Sequence, residues 1–335
     1  MSSELFWQAL EQTQTELATL SQRDAMEKIN ELLQPHFPDL SAELQKKNND
    51  GEELRYELIF TAHGASENFQ DVMALTASAP RMPLFEKVIP FRMRTDTAGF
   101  TMSMNDFSLS PTDILVNHFA DAGKVGLQLW FNKVIPQDFI DHAKHMSFIL
   151  LDHVLGEYDF AIKIGPVEFM TDAPEQTTIT LDQFPPVMDA FWRDDLLHTA
   201  IYPDGEHNWT GFTLVSNTDP EDEMVVQRNE SAQSLVGRAD MVWYLQVQTE
   251  VNNSTELEQA REFEDQLSTL IERMQEGICT QISLQGNVRT MEWQVSDIEK
   301  ALGQAQKLAS SFAPAEFDIS SEFDAQWHHY LRWAS

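Results

Sequence analysis

The sequence predicts an α+β protein of two domains, each a mostly antiparallel sheet with helices packed on one face. Three observations lead to this prediction. The 335 residues exceed the length of a typical single domain. Apolar residues at helical spacing and apolar residues in strand-like alternation are interleaved along the chain. Prolines, acids and threonines fill residues 171–186 without a long apolar run, so we expect the domains at 1–175 and 185–335.

Helical spacing comes first in the chain, and alternation follows it. Ser3 can cap a first helix, a second helix ends before Pro35, and residues 3–44 as a whole are expected to be helical. A polar loop is expected at 45–51. Further strands are predicted at 54–60, 85–93, 98–104, 113–120, 125–132, 158–164 and 166–170, and helices at 66–78 and 137–155.

The second domain carries the most specific pattern. It opens with a short helix at 187–196 and strands at 197–202, 209–216 and 223–228. From Met241 onward the pattern predicts strand 241–250, helix 254–275, hairpin arms 278–285 and 288–295, helix 297–311 and strand 315–319. This β-α-β-β-α-β order predicts a ferredoxin-like C-terminal part. The aromatic tail Phe323–Leu331 is expected to pack on its sheet.

The charge balance limits the classes of partner. Asp and Glu number 54 against 22 Lys and Arg, a formal net charge of −32. Such a field repels nucleic-acid phosphates and anionic membranes and attracts basic partners. We therefore expect a basic protein segment as the partner, with no direct nucleic-acid binding and no membrane binding. The alternative is that the acidity serves solubility alone.

Two groups of carboxylates are the candidates for receiving Lys or Arg from a partner. The first is the acidic run Asp219, Glu221, Asp222 and Glu223, which lies between two predicted strands. The second recurs along the outer faces of the predicted helix 254–275 and comprises Glu256, Glu258, Glu262, Asp265 and Glu272, of which Glu258, Glu262 and Asp265 are the preferred candidates. Solvated helix faces show the same pattern, so this alternative stays open.

A possible metal site lies on the predicted helix 137–155. His142 and His145 are three residues apart and Asp138 lies four before His142, so the three side chains share a helix face. Two imidazoles and a carboxylate at this spacing can hold zinc or another divalent ion. The alternative is a solvated face. The adjacent His328 and His329 suggest a titrating switch, although neighbours in sequence point to different faces and aromatic packing of the tail is the other interpretation.

Several function classes lack their sequence signatures. No nucleophile elbow, phosphate-binding glycine loop, dinucleotide fingerprint or His-Glu-x-x-His motif occurs, and we expect no cofactor. The single cysteine, Cys279, cannot form an intrachain disulfide and is expected to be a small buried hydrophobe. The first residues show no signal-peptide pattern, and no apolar run approaches the ~20 residues of a membrane span. A cytoplasmic location is therefore expected.

From Met241 to the end, the chain resembles a bacterial family that joins a domain of unknown function to a domain similar to regulator of ribonuclease activity B, the acidic inhibitor of ribonuclease E. The likeness is carried by Val242–Val247, Glu262–Leu267, the hairpin Cys279–Trp293 and the ending Asp324–Tyr330. The family's Asp-Gly-Arg-Arg turn is here Gly286-Asn287-Val288-Arg289, so this hairpin is less basic. The first half resembles another uncharacterised bacterial domain through Leu54–Ala62, Ser78–Pro80 and Phe148–Asp159.

The resemblance implies a regulatory binding protein whose partner is a ribonuclease or its scaffold. Together with the charge, it makes a non-catalytic acidic regulatory protein the leading hypothesis. A metal-dependent hydrolase using the 138–153 helix is one alternative. A nucleic-acid mimic that occupies a nucleic-acid site on another protein is a second.

Overall fold

The protein has an α+β fold, and the computed structural model describes residues 2–47, 55–97, 99–104, 107–172, 174, 177–215 and 223–334. The chain divides into two compact units. The first comprises Met1–Phe119 and Gly126–Val187, and the second comprises Ala120–Val125 and Met188–Ser335.

The first unit combines helices with three short sheets. Its helices are α1 (Ser2–Leu17), α2 (Gln22–Leu33), α3 (Phe69–Ala77), α4 (Ile140–Leu155) and α5 (Glu157–Lys163), and α6 (Phe184–Ala190) spans the division between the units. Its strands are β1 (Ser41–Lys47), β2 (Arg55–Thr61), β3 (Phe85–Pro90), β4 (Met102–Met104), β5 (Phe107–Leu109), β6 (Ile114–Asp121), β7 (Lys124–Phe131), β8 (Ile164–Phe169) and β9 (Ile179–Thr180). The end of β6 and the start of β7 belong to the second unit.

These strands form the sheets β1-β2-β3, β4-β5 and β8-β7-β6-β9 instead of the one sheet expected. The β2–β3 pair is parallel, whereas the β1–β2 pair is antiparallel. A parallel pair requires a crossover, and α3 supplies it between β2 and β3.

Two further predictions for the first unit were wrong. Residues 41–47 form β1, not helix and loop, because buried Ala42 and Leu44 alternate with outward side chains and every residue of the segment pairs with β2. Residues 157–163 form α5, not a strand. Gly156 has a φ of 83°, a conformation that favours glycine, and ends α4 so that a second helix can begin.

The second unit is built on one six-stranded sheet. Its strands are β10 (Trp209–Val215), β11 (Glu223–Asn229), β12 (Trp243–Glu250), β13 (Gly277–Gln285), β14 (Val288–Val295) and β15 (Asp318–Phe323). Its helices are α7 (Ser254–Glu272), α8 (Ile298–Ala309) and α9 (His328–Leu331). The strand order is β10-β11-β13-β14-β12-β15, and the paired strands run antiparallel.

The β-α-β-β-α-β order of elements is therefore present from β12 to β15, and β10 and β11 extend the sheet beyond it. The last strand begins at Asp318, later than the predicted 315–319. The strand predicted at 197–202 is wrong, because Leu197 and Ala200 both have left-handed φ values, 60° and 58°, which a strand does not accommodate.

The two faces of this sheet are covered differently. One face contacts α7 and α8 through an apolar core that includes Leu245, Phe263 and Trp293. On the other face, buried Glu292 accepts a hydrogen bond from Arg332 at 2.7 Å, and Gln294 donates to the Asp324 carbonyl at 2.9 Å. The C-terminal tail thus packs on the sheet through polar contacts as well as through its aromatic rings.

Candidate functional site

Helix α7 presents the carboxylates that the sequence singled out. Its start is fixed by Asn253, whose side chain accepts from the Glu256 N–H at 3.0 Å, while the Asn252 N–H donates to the Glu256 carboxylate at 2.7 Å. That backbone hydrogen bond lowers the pKa of Glu256. Ala260, Phe263, Leu267 and Ile271 are buried, so the opposite side of α7 is the one that meets solvent.

Glu272, at the end of α7, is partly buried and accepts from the Cys279 N–H at 3.2 Å, so its prediction as an outer-face carboxylate was wrong. Glu258, Glu262 and Asp265 are all exposed on this outer side. Their spacing of four and then three residues aligns them along one stripe, which we call the acidic face. Arg261 is also exposed and lies within the same stretch, and Gln266 donates to Glu262 at 3.1 Å. The acidic face is therefore a solvated surface whose carboxylates are accessible to a partner.

A groove of about 490 Å³ opens beside the start of α7. Its walls are the end of β12, the first turns of α7 and residues 314–318, and the Thr249 hydroxyl holds the last segment by donating to the Glu316 carbonyl at 2.8 Å. Four carboxylates line the groove, those of Glu250, Glu256, Glu316 and Asp318, and no Lys or Arg does among the described residues. We call it the acidic groove.

Three of the four carboxylates of the acidic groove, Glu250, Glu316 and Asp318, were missed by sequence reasoning. Each lies singly at the end of a strand or in a loop, with no run or helical stripe to mark it. The one feature that they share in the sequence is a position at or next to the end of a predicted strand. The two strands concerned, β12 and β15, are neighbours in the sheet. The fold brings them together, since these strands pair in antiparallel register.

The predicted acidic run is only partly described. Asp219, Glu221 and Asp222 lie outside the described residues. Glu223 is the first residue of β11, where it is exposed and pairs with Val215 of β10.

The predicted metal ligands are separate exposed side chains. Asp138 lies in a single 3-10 turn before α4, and His142 and His145 lie on α4, where all three are exposed. The His142 ring packs at 6.0 Å from the Phe139 ring. Within the part of the chain that the structure describes, no group of three or more His, Cys, Asp or Glu side chains is arranged to hold a metal ion. This geometry lends no support to the metal-site hypothesis.

The most buried carboxylate of the first unit serves its backbone. Glu157 is 0% exposed and accepts from the N–H groups of Ala62 and Gly64, at 2.8 and 3.1 Å, and from that of Arg92, at 3.1 Å. Nearby, the Arg92 side chain pairs with Glu43 and Asp152. These contacts supply acceptors for backbone N–H groups just beyond the ends of β2 and β3. We therefore assign the cluster a structural role.

The two tail histidines have different surroundings. His329 stacks on Tyr244 with ring centroids 3.7 Å apart, whereas the His328 side chain is exposed. Burial alone raises the pKa of Asp324, but the hydrogen bonds from His328 and from the backbone N–H groups of His328 and His329 outweigh burial and lower that pKa. Trp327 and Tyr330 are buried, as aromatic packing of the tail requires.

Cys279 is buried in the core of the second unit, and burial raises the pKa of its thiol. A protonated, enclosed thiol is a poor nucleophile and metal ligand. Among the described helices, none combines the length and the apolar character needed to cross a membrane.

No family model, no curated protein and no solved structure matches the chain. The likeness to regulator of ribonuclease activity B, and the ferredoxin-like assignment with it, therefore stay predictions.

Proposed function

We propose that this protein is a non-catalytic acidic regulatory protein that captures a basic segment of a partner protein. The acidic groove receives the segment, and the acidic face on α7 extends the negative surface beside it. The single observation that carries the proposal is the groove itself, which four carboxylates line and which no Lys or Arg lines among the described residues.

The charge of the whole chain supports the same partner. A net charge of −32 accelerates the approach of a basic segment and slows that of another acidic protein. The carboxylates of Glu250, Glu316 and Asp318 are exposed, so Lys or Arg side chains can reach them without a rearrangement of the fold. The hydrolase hypothesis has no comparable observation among the described residues.

The place of action and the partner are part of the proposal. The proposed place of action is the cytoplasm. The resemblance to regulator of ribonuclease activity B suggests a ribonuclease, or the scaffold that carries it, as the source of the basic segment. The activity proposed is binding, with the effect on the partner arising from occupation of its basic segment.

The test is titration of the full chain into a fluorescently labelled Lys/Arg-rich peptide, followed by anisotropy. The groove variant E250Q/E316Q/D318N is expected to weaken binding by about tenfold or more, because three charge-assisted contacts are lost. The face variant E258Q/E262Q/D265N is expected to weaken it less. Binding to the unmodified chain should fall steeply between about 50 and 500 mM salt.

A matched control removes the same charge elsewhere. Glu11, Glu16 and Asp39 are exposed in the first unit, so E11Q/E16Q/D39N changes the net charge by the same amount without touching the groove. Equal loss of affinity in the control and groove variants would show that the peptide senses only total charge, and the proposed site would be wrong.

A further inference from the structure

The two outer strands of the six-stranded sheet in the second unit differ in the charge that they carry. β15 and β10 are the end strands of that sheet, so each has one side on which no other described strand pairs. An open strand edge carries unpaired N–H and C=O groups that can bind another strand, and proteins commonly protect it with charged side chains or proline.

β15 is protected in this way, and β10 is not. The β15 strand begins with exposed Asp318 and carries exposed Glu322. The seven residues of β10, Trp209–Val215, include no charged residue and no proline. β4, β5 and β9 are also uncharged end strands, but each has only two or three residues, so β10 is the longest uncharged edge among the described strands.

The exposed face of β10 is apolar at both ends. Trp209 is 37% exposed and Val215 is 54% exposed, and both lie on one face because they are an even number of residues apart. Val225 of β11, 45% exposed, pairs with Thr213 and joins the same face. On the other face, the Phe212 ring lies 6.1 Å from the Trp333 ring.

The sequence of β10 is complementary to itself when two copies run antiparallel. With Phe212 at the centre, Trp209 of one chain lies opposite Val215 of the other, and Gly211 lies opposite Thr213. Aromatic and β-branched side chains opposite one another stabilise an antiparallel pair. A twofold contact forms both Trp–Val pairs at once, which is the self-complementarity that a symmetric dimer requires.

We propose that the β10 edge pairs with β10 of a second copy of this chain, in an antiparallel twofold contact centred on Phe212. A second copy fits this edge better than the basic segment does, because β10 itself carries no carboxylate to pair with Lys or Arg, whereas its sequence is complementary to itself. Two chains of charge −32 repel, so they associate best where the contacting surface is uncharged.

The salt dependence separates this contact from capture of a basic segment. Salt screens repulsion between two acidic chains and therefore strengthens the dimer, whereas it weakens binding of a basic peptide. Failure of one proposal thus leaves the other intact.

Sedimentation velocity of the full chain over a concentration series tests the proposal. A monomer–dimer equilibrium is expected. Its dissociation constant should decrease when the salt concentration is raised from about 50 to about 500 mM. The variant W209D/V215D sets carboxylates opposite one another and is expected to weaken the dimer by about a hundredfold. The control V134D/M274D adds the same charges at Val134 and Met274, which are 92% and 65% exposed, and should dimerise as the unmodified chain does.

The register has its own test. W209K and V215D proteins, each weakened alone, should form a heterodimer when mixed, because the introduced ammonium group of one chain then lies opposite the introduced carboxylate of the other. Circular dichroism of each variant establishes that it is folded. A chain that stays monomeric up to about 200 μM at either salt concentration, or a W209D/V215D variant that dimerises like the control, would overturn the proposal.

Discussion

Replacing Glu157 with glutamine should destabilise the first unit strongly. The carboxylate accepts three backbone N–H groups, from Ala62, Gly64 and Arg92, and is 0% exposed. An amide has one oxygen, so it can keep the two bonds now made to Oε1 as neutral hydrogen bonds. Its NH₂ group then faces the Arg92 N–H, donor against donor.

The magnitude follows from these three contacts. Hydrogen bonds to a charged group contribute about 1.5–3 kcal/mol each and neutral ones about 0.5–1.5 kcal/mol, and a buried N–H without an acceptor costs about 1–3 kcal/mol. Removal of a buried charge offsets part of this loss. We expect the free energy of unfolding to fall by about 2–4 kcal/mol, which for a unit of this size lowers the Tm by about 5–15 °C.

The assay must resolve the two units, since a chain of two units need not unfold in one step. Urea unfolding measures the free energy of unfolding of each unit. Hydrogen exchange read by mass spectrometry shows which segments are destabilised, and E157Q should speed up exchange at 55–64 and 85–97. The control E86Q removes an exposed carboxylate from β3. A loss below about 0.5 kcal/mol in E157Q would refute the reasoning, because it would mean that the three N–H groups are satisfied without the carboxylate.

Three further predictions concern the second unit. N253A removes the N-cap of α7 and should lower its unfolding free energy by about 1 kcal/mol in urea titrations. Y330F removes the hydroxyl that donates to the Asn229 carbonyl at 3.0 Å and should lower the free energy of unfolding by about 1 kcal/mol. A clearly smaller loss would contradict the presence of a buried, well-formed hydrogen bond. The pKa of Asp324 is lower in the folded state than in the unfolded state. The Asp324 carboxylate therefore stabilises the fold fully at pH values above its unfolded-state pKa, and this stabilisation is lost as the pH falls through its folded-state pKa. The stability difference between the unmodified chain and D324N should therefore shrink on acidification from neutral pH, and a difference that is constant with pH would exclude this role.

Long, strongly periodic elements were predictable from the sequence. Helix α7 was expected at 254–275 and lies at Ser254–Glu272, since an N-cap and an apolar stripe mark it locally. The hairpin β13–β14 has its turn at Gly286, whose φ of 58° suits glycine. Segment 41–47 was not predictable, because Leu40 and Leu44 are four residues apart and fit a helix as well as a strand. Pairing with β2 decides between them.

The candidate site likewise combines features that the sequence determines with features that only the fold determines. The sequence by itself determined that the chain is acidic, that it lacks the signatures of the common catalytic sites, and that Glu258, Glu262 and Asp265 share the solvent side of one helix, because charge and helical spacing are local properties. Only the tertiary structure decided that Glu250, Glu316 and Asp318 line one groove and that β10 is an uncharged edge. Both depend on which strands pair, and strand pairing is fixed by contacts between residues far apart in the chain.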